Sequence, residues 1–169
     1  MPRNVLISNA YTLLELDIKS VRAFAELVLN VEGASDEIEV SVAFVDDAAI
    51  AALNERYLGH EGPTDVLAFS MQAGESAELV EGARPELLGD VVISAERAIS
   101  YCREHGGDPI EEAALYLVHG LLHLLGYDDL EEAARARMRA REQALLRQAA
   151  EAGVVLRGRV VHTDESGRS

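Results

Sequence analysis

Hydrophobic positions along this chain change period several times, and each change marks an element. Over residues 38–45 (IEVSVAFV) apolar and β-branched positions alternate, which predicts a strand with one buried face. Residues 5–8 make a shorter β-type run, read as an edge strand. Between them Leu14, Ile18, Val21, Phe24, Ala25 and Val28 recur at helical spacing, predicting a helix over residues 14–29. Residues 46–54 read as a helix whose leading aspartates suit the positive end of its dipole. A loop over residues 59–63 leads into a strand over 64–70, and a further strand covers 88–94. Residues 71–87 carry Gly74, Gly82 and Pro85 among acidic side chains and are expected to form a mobile excursion.

Ser94 then opens a helix as N-cap, and Gly106-Gly107 stops it. The next helix starts at Asp108-Pro109, with proline at the first position, and ends at Gly126. It is the most apolar of the helices, so it should be central. A last helix runs from about Leu130 into residues 149–153, with Leu130, Ala134, Met138 and Leu145 as its inner stripe. The count is about four strands and five helices, interleaved along the chain, which predicts one sheet covered by helices. No repeat or domain-splitting linker interrupts residues 1–162, read as one domain, and residues 163–169 read as a disordered polar tail.

Composition narrows the class. A chain of 169 residues with 49% apolar and 27% charged residues builds an ordinary globular core. The single Cys102 excludes a disulfide scaffold and points to a reducing compartment. The first ten residues hold no sustained apolar segment, and no run approaches the roughly 20 apolar residues of a membrane span. A soluble cytoplasmic protein without membrane contact is expected. The net charge of −15 repels phosphates at long range, although a local basic face or a metal can dominate nearby. Arg135, Arg137, Arg139, Arg141 and Arg147 crowd the last helix. They read either as a solvated face, with a Glu131–Arg135 pair at i,i+4, or as an RNA-contacting patch; the solvated face is favoured.

The chemistry concentrates in His119-Gly-Leu-Leu-His123, followed by Leu-Leu-Gly126-Tyr-Asp-Asp129. Histidines four apart project from one helix face and can close on one ion. The reversal at Gly126 can bring Asp129 toward them. Two nitrogens and a carboxylate oxygen make a three-ligand set for zinc, with a fourth position for water or substrate. The alternative, two core histidines on the apolar run 115–125, leaves ring nitrogens needing partners and is less favoured. Asp129 has a second reading, because Asp129-Leu-Glu-Glu132 also spells a capping box, as Asp128 and Glu131 do one residue earlier. Ligand and cap stay open for Asp129. Asp128 is the nearest candidate to fix an imidazole tautomer, again with capping as its alternative. Thr64 and Asp65 either line the cleft or serve turn chemistry. In the zincin pattern His-Glu-x-x-His the glutamate is the general base, and here Gly120 takes its place. That disfavours a peptidase and removes bulk beside the ion. The pattern points to hydrolysis by a metal-activated water, with His119, His123 and Asp129 as ligands.

These residues resemble the YbeY family of bacterial endoribonucleases, which act as ribosomal RNA maturation factors. The family hallmark is the run H-G-x-x-H-L-x-G-Y-D-H, matched from His119 through Asp128. Leu53-Asn54, Tyr57 and residues 63–69 (PTDVLAF) match a preceding block, and residues 88–94 (LGDVVIS) a second, so the likeness covers most of residues 40–146. It implies a single α+β domain with a mostly parallel four-stranded sheet and helices around it. It further implies one Zn2+ per chain, single-stranded RNA as substrate, and a role in 16S ribosomal RNA 3′-end maturation and ribosome quality control. The small ribosomal subunit and its assembly factors would be partners. Position 129 is histidine in the family and aspartate here, a harder ligand that can shift preference toward Mn2+ or Mg2+. Leu58 stands where the family has an arginine associated with RNA handling; His60, two residues on, either replaces it as a substrate contact or is an ordinary exposed loop histidine, and the second reading is favoured. A different class remains in view: a non-catalytic ribosome assembly factor with a structural ion, which Leu58 and the acidic charge favour.

Overall fold

The single alternation over Ile38–Val45 becomes a central strand whose even-numbered side chains are buried and whose odd-numbered ones are half-buried. The structure is a computed structural model, which describes residues 3–70 and 86–162. In chain order the elements are β1 (Asn4–Asn9), β2 (Leu14–Leu16), α1 (Ile18–Val31), β3 (Ile38–Val45) and α2 (Asp47–Leu53). A π-helical turn (Asn54–Leu58) follows, then β4 (Val66–Ser70), β5 (Glu86–Ser94), α3 (Ala95–His105), α4 (Pro109–Leu124), α5 (Glu132–Ala152) and β6 (Gly158–Val160).

The main sheet has the order β1-β3-β5-β4. β1, β3 and β5 run parallel, and β4 joins β5 antiparallel as the second edge. This is the α+β arrangement of one mostly parallel four-stranded sheet with five helices among the described residues. Val40, Val42 and Phe44 of β3 and Val91 and Ile93 of β5 join one core cluster with Phe24 and Val28 of α1 and Leu117 and Leu121 of α4. Full burial of each such side chain contributes about 1.5–3 kcal/mol, so this layer fixes α4 against the sheet. α4 lies over β4 and β5, as its apolar sequence predicted, and packs on its other sides against α3, α5 and α1. Among the described residues no helix is long and apolar enough to cross a membrane.

The helix predicted from residue 14 begins instead at Ile18. Leu14–Leu16 form β2, paired antiparallel with β6 near the far end of the chain. Asp17 then caps α1 by accepting a hydrogen bond from the Lys19 amide at 3.1 Å. Leu14 is buried as expected, but as a strand residue, because its pairing partner lies too far along the chain for local periodicity to report. The last helix starts at Glu132, and Leu130, read as part of its inner stripe, is 83% exposed. Met138 and Leu145 of that stripe are buried and Ala134 half-buried. β5 begins at Glu86, earlier than the alternation suggested. Residues 71–85 of the expected excursion and the tail 163–169 lie outside the described residues.

Candidate metal centre

Asp108 accepts from the Ile110 amide at 2.9 Å and opens α4, with Pro109 at the first turn. One turn before its end the helix presents His119 and His123 on the same side. Gly126 takes φ +106°, a conformation that side chains avoid, and the Tyr127 amide returns to the Leu122 carbonyl at 3.0 Å. The reversed segment is then strapped down. The Tyr127 hydroxyl donates to Glu32 Oε1 at 2.9 Å, and the Arg141 guanidinium pairs with Oε2 of the same carboxylate. Glu32, at the end of α1, thus ties the turn and α5 together.

This turn delivers Asp129 to the histidines. Its Oδ2 lies 3.6 Å from His123 Nε2 and 3.8 Å from His119 Nε2. The two Nε2 atoms are 3.2 Å apart, with the rings at 74° to one another. Donors at zinc distances in a tetrahedron sit about 3.3–3.4 Å from each other, so a divalent ion fits with side-chain shifts of a few tenths of an ångström. His119, His123 and Asp129 place one ligand atom each within 4.8 Å of one another.

The structure removes the capping reading of Asp129. The N-cap of α5 is Glu131, and no side chain caps that helix. The capping box is not formed, which leaves the Asp129 carboxylate facing the imidazoles. Asp128 accepts from the Leu130 amide at 3.2 Å and does not hold an imidazole. That task falls to Glu142 of α5, whose Oε2 lies 2.5 Å from His119 Nδ1. A carboxylate is acceptor-only, so Nδ1 carries the proton, and in the neutral imidazole the Nε2 lone pair faces His123 and Asp129. Burial disfavours the charged imidazole, but the hydrogen bond and charge of Glu142, helped by Asp129 and Asp65, outweigh it and raise the His119 pKa. Glu142 escaped the sequence reading although a signal was present. It stands four residues after Met138 and three before Leu145, a carboxylate on the buried stripe of a helix.

Two cavities of about 550 and 540 Å3 meet at His119 and share Thr64, Asp65 and Val66. Thr64 and Asp65 therefore line the cleft. His60 is exposed on the preceding loop and walls neither cavity, whereas Leu58 lines the one that holds His123 and Asp129. Gly120 has a different reason from open space beside an ion. A Cβ there would lie 2.5 Å from Val91 Cγ1 and 3.1 Å from Val66 Cγ2, so the glycine lets α4 approach the sheet. The same contact leaves no room for a zincin glutamate at this position. Arg137, Arg139 and Arg147 are exposed, and Arg135 donates to the Asp129 carbonyl at 3.2 Å instead of pairing with Glu131.

A family model described as Endoribonuclease YbeY matches residues 7–150. The chain belongs to this family. An endoribonuclease YbeY of Pelotomaculum thermopropionicum is 49% identical over 122 residues, covering 72% of this chain and 79% of the relative. One from a Roseiflexus species is 39% identical over 133 residues, covering 78% and 83%. Among solved structures, a Thermotoga maritima protein studied in solution superposes with a TM-score of 0.58 at 23% identity, covering 87% of this chain and 90% of that one. That likeness concerns the fold. The YbeY match spans the end of β1 and every element from β2 to most of α5, and so includes the strand β4, both histidines and Glu142.

Proposed function

We propose that the chain is a single-strand-specific, metal-dependent endoribonuclease that matures the 3′ end of 16S ribosomal RNA and serves ribosome quality control in the cytoplasm. His119, His123 and Asp129 hold one Zn2+ per chain, and the aspartate admits Mn2+ or Mg2+ as well. When bound, such an ion supplies Lewis acidity and brings the pKa of a coordinated water toward about 7. Glu142 keeps the His119 tautomer that points a lone pair inward. The Glu32–Tyr127–Arg141 tie holds the turn that carries Asp129. Thr64 and Asp65, which line both cavities, flank the substrate strand, and His60 lies outside them. The small ribosomal subunit and its assembly factors are the partners.

One observation carries this reading: three ligand atoms from a helix and the turn after it converge, one of them backed by a buried carboxylate, in a chain of an endoribonuclease family. The test is cleavage of single-stranded RNA with and without chelator, beside elemental analysis of wild type and Asp129→Ala. Chelator-sensitive cleavage and loss of metal in the variant are expected. Intact RNA after incubation with folded, metal-loaded protein would replace this reading by the non-catalytic assembly factor, which Leu58 in the cavity and the net charge of −15 favour.

A further inference from the structure

We propose that the cavity on the Nδ1 side of His119, walled by Arg97, Tyr101, Glu112 and Asp65, is a nucleobase subsite that selects guanine beside the phosphodiester to be cut. The inference rests on the RNA-cleaving reading above and names the base that reading leaves open.

Position comes first. His119 belongs to both cavities; its Nε2 faces the donors of one, and its Nδ1 partner Glu142 lines the other. A phosphate held at the three ligands thus has a neighbouring nucleotide within reach of the second cavity. The volume of about 550 Å3 lies within the range of small-molecule sites.

The walls then choose the chemistry. Tyr101 is 41% exposed, in a chain with few aromatic residues. His105 stacks on its ring at 4.2 Å between centroids and 20° between planes, and His105 Nδ1 lies 3.1 Å from the Tyr101 carbonyl. One face of the tyrosine is backed, and Tyr101 also lines the cavity. Unpaired RNA bases stack on such faces. Asp65 and Glu112 are acceptor-only groups that repel phosphate, so the part of a nucleotide suited to them is a base edge with N–H donors. Tyr116, only 5% exposed, lines the same cavity, and burial followed by the charge of Glu112 raises its pKa, so its hydroxyl stays protonated beside that carboxylate. Arg97, four residues before Tyr101 on the same face of α3, adds the cation.

Guanine complements this set on both edges. Its N1–H and N2–H2 are adjacent donors for a carboxylate, and O6 and N7 accept a guanidinium. Adenine and cytosine bring one amine each and uracil one ring N–H, so none satisfies both edges.

The experiment uses zinc-loaded protein and single-stranded RNAs that differ at one position as guanosine, inosine or 7-deazaguanosine, read by cleavage rate and by fluorescence anisotropy. Guanosine should exceed inosine, which lacks the N2 amine, by about tenfold. Tyr101→Ala should weaken binding by about tenfold, and Glu112→Gln should remove the guanosine–inosine ratio. Should Glu112→Gln fail to fold, Arg97→Gln tests the other edge by losing discrimination against 7-deazaguanosine. Tyr57→Ala, an exposed tyrosine outside both cavities, should keep the ratios. Equal treatment of guanosine and inosine by the wild type, or unaltered binding in Tyr101→Ala, would overturn the subsite. Cleavage without base preference sinks the subsite and spares the nuclease reading. Guanine-selective binding without cleavage does the reverse, and neither binding nor cleavage sinks both.

Discussion

Replacing Glu142 by glutamine keeps the shape of the side chain and removes its charge. Glu142 is 8% exposed and its Oε2 is 2.5 Å from His119 Nδ1, so little water can take over its role. Carboxylates behind ligating histidines are worth about 10–100-fold in metal affinity, or about 1.4–2.7 kcal/mol. Glutamine retains an acceptor oxygen, which places the expected loss near the lower end, about tenfold. Competition against a chromogenic zinc chelator measures it. The imidazole titration, followed by NMR on metal-free protein, gives an independent reading. Wild-type His119 has a raised pKa because Glu142 outweighs burial; without that charge burial dominates and the value falls. The sign for stability follows. A raised folded value means the pair stabilises the metal-free protein fully below the unfolded value of about 6.5 and loses that contribution as pH climbs through the folded value. The glutamine variant should lose this slope. Wild-type zinc affinity together with an unshifted titration in Glu142→Gln would refute the assignment.

Other perturbations separate ligation from support. His123→Ala removes one of three donors and should abolish retained metal after dialysis, as measured by elemental analysis, with the fold intact by circular dichroism. Zinc affinity of the wild type should rise with pH through the raised His119 value, because the proton and the ion compete for the imidazole; isothermal titration in buffers of different ionisation enthalpy should detect the released proton. Gly120→Ala pushes a Cβ to 2.5 Å from Val91 Cγ1 and should cost about 1–3 kcal/mol in urea unfolding; an unchanged midpoint would mean that the helix–sheet contact yields freely. Glu32→Ala strips the Tyr127 hydroxyl and the Arg141 guanidinium of their acceptor and should cost about 1–3 kcal/mol. It should also weaken zinc binding, because the turn bearing Asp129 loses its anchor.

Much of the candidate site was legible because it is local. His119, His123, Gly126 and Asp129 span eleven residues, and helical spacing followed by a glycine reversal is a short-range instruction. What could not be read was which side chains come from elsewhere. Capping-box spelling at Asp129 and Glu132 competed with a place beside the histidines, and the position of the Asp129 carboxylate depends on where Tyr127 is held by Glu32, more than ninety residues away. Asp128 was the nearest carboxylate in sequence, yet Glu142, a helix away, is nearest in space. Arg97 and Tyr101 drew no notice because α3 looks like any amphipathic helix until α4 packs beside it.

Local signals by themselves determined the strands β1 and β3 through their run of apolar residues, the boundaries of α3 and α4 through caps, proline and glycine stops, and the pairing of the two histidines through helical spacing, since each depends on residues within a turn or two. Tertiary structure alone decided the β2–β6 ribbon, the function of Gly120 as a contact with Val91, and the choice of Glu142 as the partner of His119. These depend on distances between segments remote along the chain, where a side chain acquires its role only once burial removes water as the competing partner.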